Sequence, residues 1–202
     1  MGEVEFKIFL YLIIVFSAVF HEYFHGWMAN YLGDPTAKHA GRLTLNPLKH
    51  LDPVGTVFLP LFLLFFWGGF IGWAKPVPYN PYNLRDQKYG SAKVGLAGPL
   101  ANFLIALLFG IMIRFLPLEG FLSIAFSLII YINIFLGLFN LIPIPPLDGS
   151  KILMDIFPQS RILQVLESSF IGIFLAIVIA INFLPHLAGF LYALIVGGPF
   201  LM

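Results

Sequence analysis

The chain has no cysteine. That excludes disulfides, thiolate catalysis and any metal site built on sulfur, so a metal here would have to be held by imidazole and carboxylate. Charge is nearly as scarce: only 10% of the 202 residues are Asp, Glu, Lys or Arg, against about a quarter in an average soluble domain. The net charge of +1 gives no basic field, and no Lys/Arg cluster interleaves with aromatics, so nucleic acid is not expected as a partner. Repeats, low-complexity tracts and polar intervals long enough for a separate soluble domain are also missing. In excess are hydrophobic residues, at 59%. This composition defines an all-α polytopic membrane protein whose surroundings are the lipid bilayer.

About five to six apolar segments can be drawn: 6–32, 54–73, 92–116, 121–141, 162–184 and a shorter piece, 187–201. The first is too long for a signal-peptide core and carries ionisable residues, so it is read as retained. Residues 1–202 are expected to form a single membrane-embedded domain. The segment 54–73 contains Pro60 and the pair Gly68-Gly69, which compromise a spanning helix and predict a re-entrant segment. Re-entry would put the polar intervals 33–53 and 74–91 on one side. Lys38, Arg42 and Lys49 in the first and Lys75, Arg85 and Lys88 in the second suit a shared cytoplasmic face.

Inside the first apolar run stands His21-Glu22-Tyr23-Phe24-His25. On a helix, residues four apart share a face, about 6 Å apart along the axis, so both imidazoles can reach one metal ion. Glu22 lies beside them, where a carboxylate can take a proton from the attacking water and pass it to a leaving amine. Ionisable groups at membrane depth cost several kcal/mol, about 2.5–3.5 each on insertion scales, which makes function their default reading.

Catalytic zinc takes three protein ligands and keeps one position open. His39 and His50 lie among Lys and Pro and read as solvated surface residues, and His186 after Pro185 reads as interfacial. Asp148 differs. It follows an apolar span that Pro143, Pro145 and Pro146 must break near 140–148, and broken backbone at membrane depth is tolerated only inside protein or beside a wet cavity. The competing reading makes Asp148 the cap of a helix starting near Ser150. Asn140 places an amide at the other end of the break. In the stretch 95–106, Gly98 and Pro99 are expected to break or kink a helix start, and Asn102 is a buried amide able to donate to a substrate carbonyl.

Together, His21-Glu22-x-x-His25, Gly98-Pro99-x-x-Asn102 and Asn140-x-x-Pro143-x-Pro145-x-Leu147-Asp148-Gly149 resemble the site-2 protease family of intramembrane zinc metalloproteases. The combination is highly specific and touches all but the last forty or so residues. The resemblance implies one zinc ion (Zn2+) per chain bound by His21, His25 and Asp148, with Glu22 as general base and Asn140 and Asn102 supporting substrate or oxyanion. It further implies cleavage of substrate proteins within or near their transmembrane segments, in regulated intramembrane proteolysis. The chain looks like a minimal member, without the PDZ or cystathionine-synthase-like domain of others. The expected location is the plasma membrane of a prokaryote, with the active site toward the cytoplasm. A non-hydrolytic metal-binding membrane protein would leave Glu22 without a task. A prenyl-processing type of protease would need a glutamate third ligand, for which only Glu119 and Glu167 follow.

Overall fold

The computed structural model describes residues 2–66, 72–167 and 169–200. Among these residues, four helices are long and apolar enough to cross a membrane: α1 (Glu3–Tyr31), α4 (Gly90–Phe115), α5 (Gly120–Asn140) and α8 (Phe170–Val196). Shorter helices fill the intervals: α2 (Thr36–His39), α3 (Leu59–Phe66), α6 (Gly149–Ile156) and α7 (Arg161–Glu167). No strand occurs among the described residues.

The expected segments 162–184 and 187–201 do not survive as drawn. A single helix, α8, runs through Pro185; a bundle helix can carry proline where its neighbours and local adjustment satisfy the freed carbonyl. The N-terminal part of 162–184 belongs instead to the separate α7. Helix α4 likewise continues through Gly98 and Pro99 rather than breaking there.

The central helix is α4, which packs on α1, α5, α6 and α8. Its buried positions are mostly small, among them Ala97, Gly98, Ala101, Ala106 and Gly110. Apolar lipid does not drive apolar helices together, so close approach of backbones across small side chains does much of the work. Toward lipid the same helix turns Leu104, Leu107 and Leu108, all exposed in the bare chain. One core cluster joins α4, α5 and α8 through Ala106, Ile130, Ile134, Ala188 and Tyr192. A second, around Ile142, Leu147, Ala176 and Leu184, seats the proline-rich turn on α8.

The segment expected to re-enter begins as a π-helical turn, Pro53–Phe58, capped by Asp52, and passes into α3. Pro60 has no N–H for the carbonyl four residues back, and that carbonyl, of Thr56, accepts instead from Tyr11 Oη at 3.0 Å. The Gly68-Gly69 pair lies outside the described residues. At the far end of the segment, Trp73 N–H donates to Gly55 C=O at 3.0 Å and Thr56 Oγ1 donates to Trp73 C=O at 2.8 Å. The two ends of the segment therefore meet at one depth, as a re-entrant path requires.

From Trp73 to Asn80 the chain is non-helical and is tied down along its length. Lys75 N–H donates to His50 C=O at 2.9 Å, Arg42 Nη2 to Lys75 C=O at 2.6 Å, and Asn80 N–H to Asp34 Oδ2 at 2.6 Å. His50 is not a solvated surface residue as expected: it is 1% exposed, and Nε2 donates to Thr44 C=O at 2.8 Å. Among the described residues, no group of His, Asp and Glu side chains arranged to hold a metal ion includes it.

Candidate metal centre and active site

Helix α1 carries His21 and His25 inward on one face, next to α4. Their rings meet edge to face with centroids 4.6 Å apart. The break after α5 brings Asp148 to the same point from 127 residues further along the chain. Helix α5 ends at Asn140, and the prolines carry the chain through turns until α6 starts at Gly149. Only glycine fits there, since a Cβ would lie 2.3 Å from Leu141 C=O. Asp148 occupies the cap position, yet its side chain makes no capping hydrogen bond. Its carboxylate turns to the histidines.

The distances are short and mutual. His21 Nε2 is 2.9 Å from Asp148 Oδ2, His25 Nε2 is 3.1 Å from the same oxygen, and the two Nε2 atoms are 2.9 Å apart. Among the described residues this trio is the one group of His, Asp and Glu side chains arranged to hold a metal ion. Glu119 and Glu167 are exposed and stand outside it.

The far sides of the rings decide what the near sides offer. His25 Nδ1 sits 2.7 Å from Val94 C=O, an acceptor only. His21 Nδ1 sits 2.6 Å from Asn102 Oδ1. That amide is oriented in turn, because Asn102 Nδ2 donates to Asn133 Oδ1 at 2.8 Å and Asn133 Nδ2 donates to Ser17 Oγ at 2.9 Å. Both Nδ1 atoms therefore donate outward, which leaves both Nε2 atoms facing the carboxylate and able to offer a lone pair to a cation. Three potential ligand atoms converge on one point. A divalent cation suits that convergence, and the partners on the Nδ1 side are those that orient metal-ligating imidazoles. The separations lie a few tenths of an ångström under the roughly 3.3–3.4 Å edge of a tetrahedron with 2.0–2.1 Å bonds. The donor set fits zinc, which takes nitrogen and carboxylate oxygen together.

Close approach of α4 makes the trio possible. A Cβ on Gly98 would fall 2.5 Å from His25 Nε2 and 2.6 Å from His21 Nε2, so the glycine of Gly98-Pro99 leaves room for the donors instead of breaking a helix.

In front of the trio lies a cavity of about 200 Å³ whose wall includes His21, Glu22, His25, Asn140, Asp148 and Lys151. Glu22 Oε2 accepts from Val77 N–H at 2.8 Å, so the strap holds that carboxylate at the cavity edge. Asn140 reaches the cavity while Nδ2 donates to Leu136 C=O at 3.0 Å. Asn102 does not reach it. It is 0% exposed, and both its polar atoms are taken by His21, Asn133 and Ser17. The expected role of Asn102 toward substrate is thus corrected: it orients His21. Sequence reasoning missed Ser17, Asn133 and Lys151, and the N–H of Val77. For Asn133 a signal existed, as an amide inside an apolar span; for Val77 none did, because any residue but proline offers that group.

This architecture is that of a membrane-embedded metallopeptidase. The chain belongs to peptidase family M50, the site-2 proteases, whose family profile matches residues 9–127 and 118–185. It is 34% identical over 183 residues to YwhC of Bacillus subtilis, a provisionally named zinc metalloprotease, covering 86% of this chain and 80% of that one. It is 33% identical over 136 residues to Rip2 of Mycolicibacterium smegmatis, also provisionally named a zinc metalloprotease, covering 66% of this chain and 51% of Rip2. A third relative, zinc metalloprotease MJ0392 of Methanocaldococcus jannaschii, is 35% identical over 88 residues, 41% of this chain and 25% of its own. No solved structure matches the chain. The protein is accordingly an integral membrane zinc metallopeptidase.

Proposed function

We propose that this metallopeptidase hydrolyses peptide bonds within or near the transmembrane segments of other membrane proteins, as a step of regulated intramembrane proteolysis. The observation that carries the reading is the depth of the trio together with the cavity before it. His21 is ten residues from the Tyr31 end of α1, about 15 Å along the axis. A site at that depth meets substrate that is itself in the membrane.

His21, His25 and Asp148 would hold one zinc ion per chain, which supplies Lewis acidity toward water and toward the scissile carbonyl. Glu22 takes a proton from the attacking water and delivers it to the amide nitrogen as the C–N bond breaks. The Val77 N–H keeps Oε2 occupied, so Oε1 carries the proton. Asn140 donates to substrate backbone at the cavity wall. Burial of the trio excludes bulk water, which strengthens these interactions.

A transmembrane helix keeps its carbonyls in internal hydrogen bonds, so attack needs local unwinding. Pairing of substrate with the strap by edge addition is restricted: Pro76 and Pro78 have no N–H, and those of Lys75 and Val77 are already donated. Unwinding must therefore come largely from weakness in the substrate. The active site faces the cytoplasmic side of a prokaryotic plasma membrane in this reading, as the basic residues of the two polar intervals suggest.

The test is a reporter transmembrane segment in proteoliposomes, with a central Asn-Gly pair or Leu-Leu in its place, insertion verified equal and cut sites mapped by mass spectrometry. Cleavage within the segment, faster for Asn-Gly, is expected. Cleavage confined to soluble loops would overturn the intramembrane assignment, and equal rates would overturn the unwinding step.

A further inference from the structure

We propose that Lys151 is a positioning residue that keeps Asp148 a one-oxygen ligand and so keeps the metal's remaining position open. The inference rests on the assignment of Asp148 as a zinc ligand and extends it to a residue outside the family motifs quoted above. The two carboxylate oxygens of Asp148 have separate partners. Oδ2 faces both histidines, at 2.9 and 3.1 Å, while Oδ1 accepts from Lys151 Nζ at 2.9 Å.

The clasp is short and local. Lys151 is three residues after Asp148 on the first turn of α6, where i and i+3 side chains are neighbours. The ammonium also lies 5.4 Å from the centre of the Tyr79 ring, which covers it from the strap. A lysine free to leave for water would not serve. This one is held between a carboxylate and an aromatic face, and among the described residues it is the one Lys or Arg on the cavity wall.

The consequence is chemical. A carboxylate binds a metal through one oxygen or through both, and the choice depends on whether the second oxygen has something better to do. With Oδ1 held by an ammonium, two-oxygen binding costs the loss of a charge-assisted hydrogen bond. Without Lys151, Oδ1 is left partly buried with no donor, and rotation onto the metal satisfies it. That rotation fills the position a catalytic zinc must keep open. Loss of Lys151 should thus impair catalysis while leaving metal in place, the opposite of losing a ligand.

The experiment uses the purified full chain loaded with Co2+ as a spectroscopic substitute, comparing the wild type with Lys151→Met and Lys151→Arg. Four-coordinate Co2+ gives intense visible bands, which weaken as coordination number rises. The expected result is one metal per chain in all three, weakened bands in Lys151→Met alone, and zinc-dependent cleavage in that variant down by about 100-fold, the scale of small misplacements at a reacting centre. Lys151→Arg, which keeps a donor for Oδ1, should retain the wild-type spectrum and recover much of the activity. Unchanged bands in Lys151→Met would overturn the proposal, as would bands in Lys151→Arg weakened as much as those of Lys151→Met. Absence of bound metal in the wild type would instead strike the ligand assignment itself.

Discussion

His21 donates from Nδ1 to Asn102 Oδ1 across 2.6 Å, joining α1 to α4 at a point with no access to solvent. The contact fixes the tautomer of the ring, and with it the direction of the lone pair on Nε2. Asn133 and Ser17 extend the same chain of hydrogen bonds into α5 and back to α1, so three helices contribute to one imidazole.

Replacing Asn102 by Leu should therefore weaken zinc binding by about 10–100-fold, the usual cost of removing a partner behind a ligating histidine. Competition with a chelator of known affinity measures it. Zinc affinity equal to wild type would show that the amide only packs.

Gly98→Ala should cost the metal outright. Alanine is the better helix former by about 1 kcal/mol, so helix stability argues for the substitution, but its Cβ would sit 2.5 Å from His25 Nε2. The expected result is a folded protein with zinc content well below one per chain. Full zinc content in Gly98→Ala would mean that α4 can retreat without disturbing the donors.

Three residues show what sequence reading reaches. His21 and His25 were legible because four-residue spacing on a helix is a local rule, and Asp148 because consecutive prolines must interrupt an apolar span. His50 misled, since its sequence neighbours are Lys and Pro, while its burial comes with contacts to Thr44 and to Lys75 of the strap. Asn102 was legible as buried and illegible in direction: which way an amide points depends on Asn133 and Ser17, 31 and 85 residues away. The continuity of α8 through Pro185 was hidden for a similar reason, because the rule for proline is local and its relief comes from neighbours.

Asp34 anchors the strap from the other end, accepting from Thr36, Asn80 and Asn83. Burial pushes its carboxyl up, but the hydrogen bonds from Thr36, Asn83 and Asn80 outweigh this and leave it below the ordinary 3.8. A folded value below the unfolded one means that the stabilisation is fully present above about pH 4 and is lost as pH falls through the folded value. Asp34→Asn should reduce stability at neutral pH by about 1–3 kcal/mol and flatten the acid limb of the unfolding midpoint against pH. An acid limb identical to wild type would place that sensitivity elsewhere.

The hydrogen bond between Trp73 and Gly55 requires the polar intervals on either side of the short helix to share one face of the membrane. Cysteines introduced singly at Lys49 and Arg85, in a chain with no other thiol, should react with an impermeant maleimide from the same side, the cytoplasmic one. Reaction from opposite sides would mean that the segment crosses.

The central claim is that two imidazoles and a distant carboxylate hold one zinc ion and that Glu22 works beside it without binding it. Zinc content per chain, measured on detergent-purified Glu22→Gln and Asp148→Ala, tests this most directly. The account predicts about one zinc in Glu22→Gln, with cleavage abolished, and little or none in Asp148→Ala. Full zinc occupancy in Asp148→Ala, or loss of zinc in Glu22→Gln, would contradict it.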